Sequence, residues 1–140
     1  MPPAPSYADL LARNLRAARA AARISQAEIA ERMNSLGFRE WRRQTVARVE
    51  KAERKMSAEE LFWLSYVLSA SVMRLMSPTE DDHWVAAPNG RTIHAQHAAQ
   101  RMRSTGDGAI RWDRNMAVFM PEQAGFGGVV AAESHDDHGT

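Results

Sequence analysis

Between Pro5 and Pro78 the chain contains no proline and only one glycine, Gly37. These two residues are the ones that most reliably interrupt helices, so the first half allows long helical runs. The second half is the reverse, with seven of the eight glycines, all five histidines and no sustained helical period. At 140 residues, 44% hydrophobic and 25% charged, there is apolar material for one ordinary domain plus something smaller. Cysteine is absent, so stability comes from packing rather than from disulfides or a cysteine zinc cage, and a cytoplasmic setting fits. No apolar run approaches the roughly 18 to 20 residues of a membrane span, and "MPPAPSYADLL" lacks the cationic start and apolar centre of a secretion signal. The expectation is a soluble internal protein with no membrane partner.

Three serines stand three residues ahead of a carboxylate: "SYAD" at 6–9, "SQAE" at 25–28 and "SAEE" at 57–60. In each, hydroxyl and acid can satisfy the free N–H groups of a first helical turn, so helices are predicted to start there. Leu10, Leu11, Leu15, Ala18 and Ala22 recur at three-to-four spacing and give a first helix from Tyr7 to about Arg23. Ile29, Ala30 and Met33 give a short second helix that "NSLGF" breaks, and "QTVARVEKAER" gives a third. Leu61, Leu64, Val67 and Leu68 line a fourth, and Val72, Leu75 and Met76 a brief fifth, stopped by Pro78. Beyond it, "HWVAA" reads as a short strand before a Pro-Asn-Gly turn, "IHAQHAAQRMR" as a helix, and "AIRW" with "MAVFM" as a hairpin. From Pro121 the small, acidic and glycine-rich composition predicts a disordered tail over 121–140.

Charge is divided along the chain. Residues 1–76 carry 13 lysines and arginines against 8 acids, a net +5, while residues 77–140 carry 5 against 9, a net −4. The third helix concentrates the basic excess: Val46 and Val49 mark an inner side, leaving Arg43, Gln44, Arg48 and Lys51 on or near the outer one. At roughly 100° per residue Glu50 falls between Val46 and Glu53 on the inner side, where an unpaired carboxylate costs several kcal/mol and so requires a cation.

Five helices, with "SQAEIAERM" opening the second and "QTVARVEKAER" forming the third, resemble the Cro/repressor-type helix-turn-helix family, also called XRE, over residues 8–76. The resemblance implies an all-α, five-helix, lambda-repressor-like domain at 6–77. In that family the third helix enters the major groove of DNA and the second crosses the backbone. Position by position, it implies that Gln26 points its side chain and N–H at a phosphate at the head of the second helix. It implies that Arg43, Gln44, Thr45 and Arg48 reach base edges, arginine suiting guanine and glutamine adenine. Ala47 would allow close approach or a thymine methyl contact, and Arg42 and Lys51 would meet phosphates. It also supplies the cation for Glu50: Arg19, seven residues before Gln26, matches an arginine that pairs with this glutamate, giving a structural ion pair between the first and third helices.

The family joins its second and third helices by about four residues, and here the connection is roughly six longer. Trp41 and Phe38 could tuck under the domain to fix this loop, or Arg39 could carry it to the DNA backbone. Arg42 stands where a serine or threonine N-cap is usual. Phe62, Trp63 and Tyr66 fall on the side of the fourth helix away from Leu61, Leu64 and Leu68, an apolar patch that needs a cover. Either a second copy provides it, giving a homodimer that reads a palindrome, or residues 84–120 fold back over it.

His94 and His97 share a helical face and "HDDH" at 135–138 has metal-ligand residue types, but neither shows a third ligand at a recognisable distance, and His83 reads as a loop residue. No nucleophile motif, phosphate loop or paired acid appears, so neither enzyme activity nor a metal or cofactor is expected. The reading is a sequence-specific, double-stranded-DNA-binding transcriptional regulator, a repressor acting as a dimer, with residues 78–120 serving dimerisation or a protein partner. The arginine-over-lysine and alanine bias suggests a bacterial or phage source. The alternative is a protein-interaction module such as an antitoxin-like or anti-regulator subunit.

Overall fold

The computed structural model describes residues 3–103. The hairpin expected over 109–120, the histidines at 135 and 138 and the tail expected over 121–140 lie outside the described residues. The described residues divide into two compact units, Tyr7–Ser77 on the one hand and residues 3–6 with 78–103 on the other. The described part is mostly helical.

The Tyr7–Ser77 unit contains five helices. α1 (Tyr7–Ala22) buries Leu10, Ala12, Leu15 and Ala18; Ala22, expected on its inner stripe, is exposed. α2 (Gln26–Ser35) starts at Ser25, whose hydroxyl accepts the Glu28 N–H at 3.0 Å, and buries Ile29, Ala30 and Met33. α3 (Arg43–Glu50) follows a seven-residue connection, shorter than the sequence suggested because α2 continues through Asn34 and Ser35. α4 (Ala58–Leu68) opens with a reciprocal cap, Ser57 Oγ accepting from Glu60 N–H and Glu60 Oε1 from Ser57 N–H. α5 (Val72–Met76) is capped by Ser71.

Three helices of this unit end on a left-handed residue that is not glycine: Arg23 after α1, Ala52 after α3 and Ser69 after α4, with φ of 59°, 60° and 53°. That conformation costs an L-residue about 1 to 2 kcal/mol and is usually given to glycine. It also shortens α3, which stops at Glu50 rather than running on to Arg54 as the sequence predicted. Gly37, with φ of 106°, serves the turn after α2, where a side chain would be strained.

Leu15, Ile29, Met33, Val46, Val49, Leu64, Val67, Leu68 and Leu75 share one core with Trp41, the largest fully buried side chain and one that belongs to no helical stripe. α2 packs on α3 and α4, while α1 crosses behind and meets α3, α4 and α5. The last carbonyls of the unit are satisfied from α1: Asn14 Nδ2 donates to Leu75 O at 2.9 Å and Ser77 O at 2.8 Å, and Tyr7 Oη donates to Met76 O.

In the other unit, β1 (Trp84–Ala86) pairs antiparallel with β2 (Thr92–His94), Trp84 opposite His94 and Val85 opposite Ile93, through a turn where Gly90 takes φ of 89°. Ala86 N–H also donates to Pro5 O at 2.9 Å, so residues 5–6 lie beside β1 and belong here rather than with the helices. α6 (Ala95–Arg103) begins two residues later than the sequence indicated. Ile93 and His94, read as helical, are strand, because β-branched Thr92 and Ile93 find cross-strand partners.

Candidate nucleic-acid interface

α3 presents two different faces. Val46, Val49 and Glu50 are buried, whereas Arg42, Arg43, Gln44, Arg48 and the following Lys51 are exposed, with Thr45 and Ala47 half-buried. Four cations and one carboxamide therefore stand on eight or so residues of rigid backbone, a set that can donate hydrogen bonds to anionic or carbonyl oxygens.

The start of α3 has no ordinary cap, and Thr45 compensates. Its hydroxyl accepts the Arg42 N–H at 3.0 Å and donates to Glu40 O at 3.2 Å, so this side chain closes the first turn. Asn34 holds the preceding segment by donating to Ala30 O at 2.8 Å and to Trp41 O.

Behind α3, the Glu50 carboxylate gathers three elements. Arg19 from α1 donates through Nε to Oε2 at 2.5 Å and through Nη2 to Oε1 at 3.1 Å, a bidentate pair with Glu50 only 5% exposed. This hydrogen bond holds the guanidinium charged beyond its ordinary range, against the opposing effect of burial. Gln26, at the head of α2, donates Nε2 to the same Oε1 at 3.0 Å. Its side chain is thus turned to the carboxylate, a partner the sequence did not reveal. Arg16 adds a bond from Nη2 to the Glu50 carbonyl at 2.7 Å, capping the last turn of α3.

A second buried carboxylate, Glu60 of α4, was visible in the sequence only as a cap residue. Its Oε2 accepts from Trp41 Nε1 at 2.7 Å and from Arg54 Nη2 at 2.9 Å, and Oε1 accepts the Ser57 N–H at 2.9 Å. The Arg54 guanidinium lies over the Trp41 ring, 5.3 Å from its centroid. Burial pushes the Glu60 carboxyl up, but the bonds from Arg54, Ser57 and Trp41 outweigh it and hold the group below the usual carboxylate range. Phe38 packs partly against the core, and Arg39 is exposed.

The aromatic patch of α4 is smaller than expected. Phe62 and Tyr66 are 57% and 72% exposed, but Trp63 packs partly on the core and meets both rings edge-on at 5.2 and 6.0 Å. Tyr66 and Leu36 line an open groove of about 580 Å³ between the ends of α2 and α4.

In the other unit His94 sits edge-on to Trp84 at 5.3 Å and 6.0 Å from His97. Burial lowers both imidazoles below their ordinary value, helped by His83 beside His94 and by His94 beside His97. Among the described residues no group of three or more histidines or acids is placed to hold a metal ion, and no helix is long and apolar enough to cross a membrane. No protein-family model matches the chain, and no curated protein or solved structure gives a significant match.

Proposed function

We propose that the Tyr7–Ser77 unit binds double-stranded DNA in a sequence-dependent way, with α3 lying in the major groove, and that the protein regulates transcription by occupying operator DNA. The observation that carries this reading is the division of α3. Arg43, Gln44 and Arg48 are free of the core while Glu50, directly behind them, is tied to Arg19, Gln26 and Arg16. A helix must be fixed from behind if its outer side chains are to discriminate base edges, since each good bidentate contact contributes about 1 to 3 kcal/mol only when correctly placed. Arg42, Lys51 and the loop residue Arg39 suit phosphates, which position a protein on the duplex without reading it. The resemblance of "SQAEIAERM" and "QTVARVEKAER" to Cro/repressor-type sequences supports the same assignment. No bond-making step is involved. Repression follows from occupancy by a homodimer whose α3 helices meet successive major grooves about 34 Å apart.

The exposed Phe62 and Tyr66 favour a second reading, a protein-interaction module of the antitoxin or anti-regulator type, in which α4 supplies the contact. Salt dependence separates the two. A DNA-binding dimer neutralising roughly 6 to 10 phosphates loses about 10³- to 10⁵-fold in affinity between 50 and 200 mM salt. Binding that is weak, indifferent to sequence and unchanged by Arg48→Ala favours the interaction module.

A further inference from the structure

We infer that Glu60 is a positioning residue for the α3 interface, aligning α3 without touching what α3 binds. The inference rests on the DNA-binding reading above and deepens it. Trp41 belongs to the chain entering α3 and Arg54 to the chain leaving it, and both converge on Glu60 Oε2, at 2.7 and 2.9 Å. Oε1 of the same carboxylate is fixed by Ser57 N–H at the head of α4. The Arg54 guanidinium closes the arrangement by covering the Trp41 ring. α3 has only eight residues, too few for a stable direction of its own, so its orientation depends on what holds its two ends as well as on Val46 and Val49 in the core.

The Glu50 cluster holds α3 against α1 and α2 at its C-terminal turn, but leaves the N-terminal end, with Arg42 and Arg43, to be oriented by the loop. That loop is bonded to α2 through Asn34 and, through the Trp41 indole, to α4 at Glu60. The longer connection between α2 and α3 is therefore an ordered element whose far anchor is one carboxylate. Loss of the anchor lets the outer arginines wander among sequences while leaving every one of their charges in place.

The test compares affinity for a duplex enriched from random DNA with affinity for an unrelated duplex, measured for the wild type, Trp41→Phe and Glu60→Gln well below their melting temperatures. Trp41→Phe keeps an aromatic ring in the core and deletes the indole N–H together with part of the buried ring volume, so it serves as the second variant if Glu60→Gln fails to fold. The expected result is that the ratio of the two affinities falls at least about tenfold in the variants. In Trp41→Phe, affinity for the unrelated duplex and its salt dependence stay unchanged, because no charge is altered. Variants that melt earlier yet keep the wild-type ratio would show a purely structural role and overturn the inference. A wild type that enriches no sequence overturns the DNA-binding reading itself, and the inference with it.

Discussion

Arg19 and Glu50 meet through two parallel hydrogen bonds across the interface of α1 and α3, Nε to Oε2 at 2.5 Å and Nη2 to Oε1 at 3.1 Å. The two partners differ in their access to water: the Arg19 side chain is 23% exposed and that of Glu50 5%. Removing them therefore has unequal consequences. Arg19→Ala leaves a buried carboxylate with Gln26 and should cost about 3 to 5 kcal/mol. Glu50→Ala leaves a guanidinium that can turn to solvent and should cost about 1 to 3 kcal/mol. Urea titrations of both variants check this ordering, and an unshifted midpoint for Arg19→Ala would contradict the buried pair.

The outer face of α3 should behave in the opposite manner. Gln44 and Arg48 are exposed and make no contact on which the core depends, so their replacement by alanine should move stability by no more than about 0.5 kcal/mol. In binding, Arg48→Ala should lose about 1 to 3 kcal/mol on a preferred duplex. Paired melting and affinity measurements give both quantities. A destabilising Arg48→Ala without loss of affinity would assign the residue to the fold.

Ala52 offers a test of how α3 ends. Glycine there relieves a left-handed cost of about 1 to 2 kcal/mol while adding about 0.5 to 1 kcal/mol of unfolded-state entropy, so Ala52→Gly should stabilise by about 0.5 to 1 kcal/mol. A lower melting temperature would contradict the assigned backbone.

Acid should act through Glu60. Its carboxyl is held below the usual range in the folded state, so its stabilising contribution is complete above the unfolded value near 4.3 and is lost as pH falls through the lower folded value. Glu60→Gln should flatten that part of the pH-stability curve, as measured by urea titrations at a series of pH values. In the other unit, NMR titration should place His94 and His97 below the ordinary imidazole value of about 6.5. The neutral rings are the ones the fold favours, so stability of that unit declines as pH drops below about 6.5 toward the folded values.

What could be read from the sequence follows from how local each signal is. The five helical segments and the caps at Ser25 and Ser57 were legible because periodicity and capping act within a few residues. The inward carboxylate was legible too, since a single buried charge on an apolar face demands a partner. The end of α3 was not, because Ala52 adopts a conformation that glycine would have announced. The bond from Gln26 to Glu50 was not legible, since the position alone cannot say whether an amide faces solvent or the carboxylate 24 residues later. Trp41 and Glu60 were seen separately, as a loop residue and a cap, and only the tertiary arrangement joins them. β2 was lost because its three residues are too few for a pattern and adjoin a helical one.

The central claim is that α3 reads base sequence. It is tested most directly by selecting bound duplexes from random DNA with the wild type and with a Gln44→Ala, Arg48→Ala double variant. The account predicts a palindromic motif for the wild type, with half-sites about one helical turn apart, and loss of preference at defined positions in the variant. Recovery of no motif, or of the same motif at the same strength from both proteins, would contradict it.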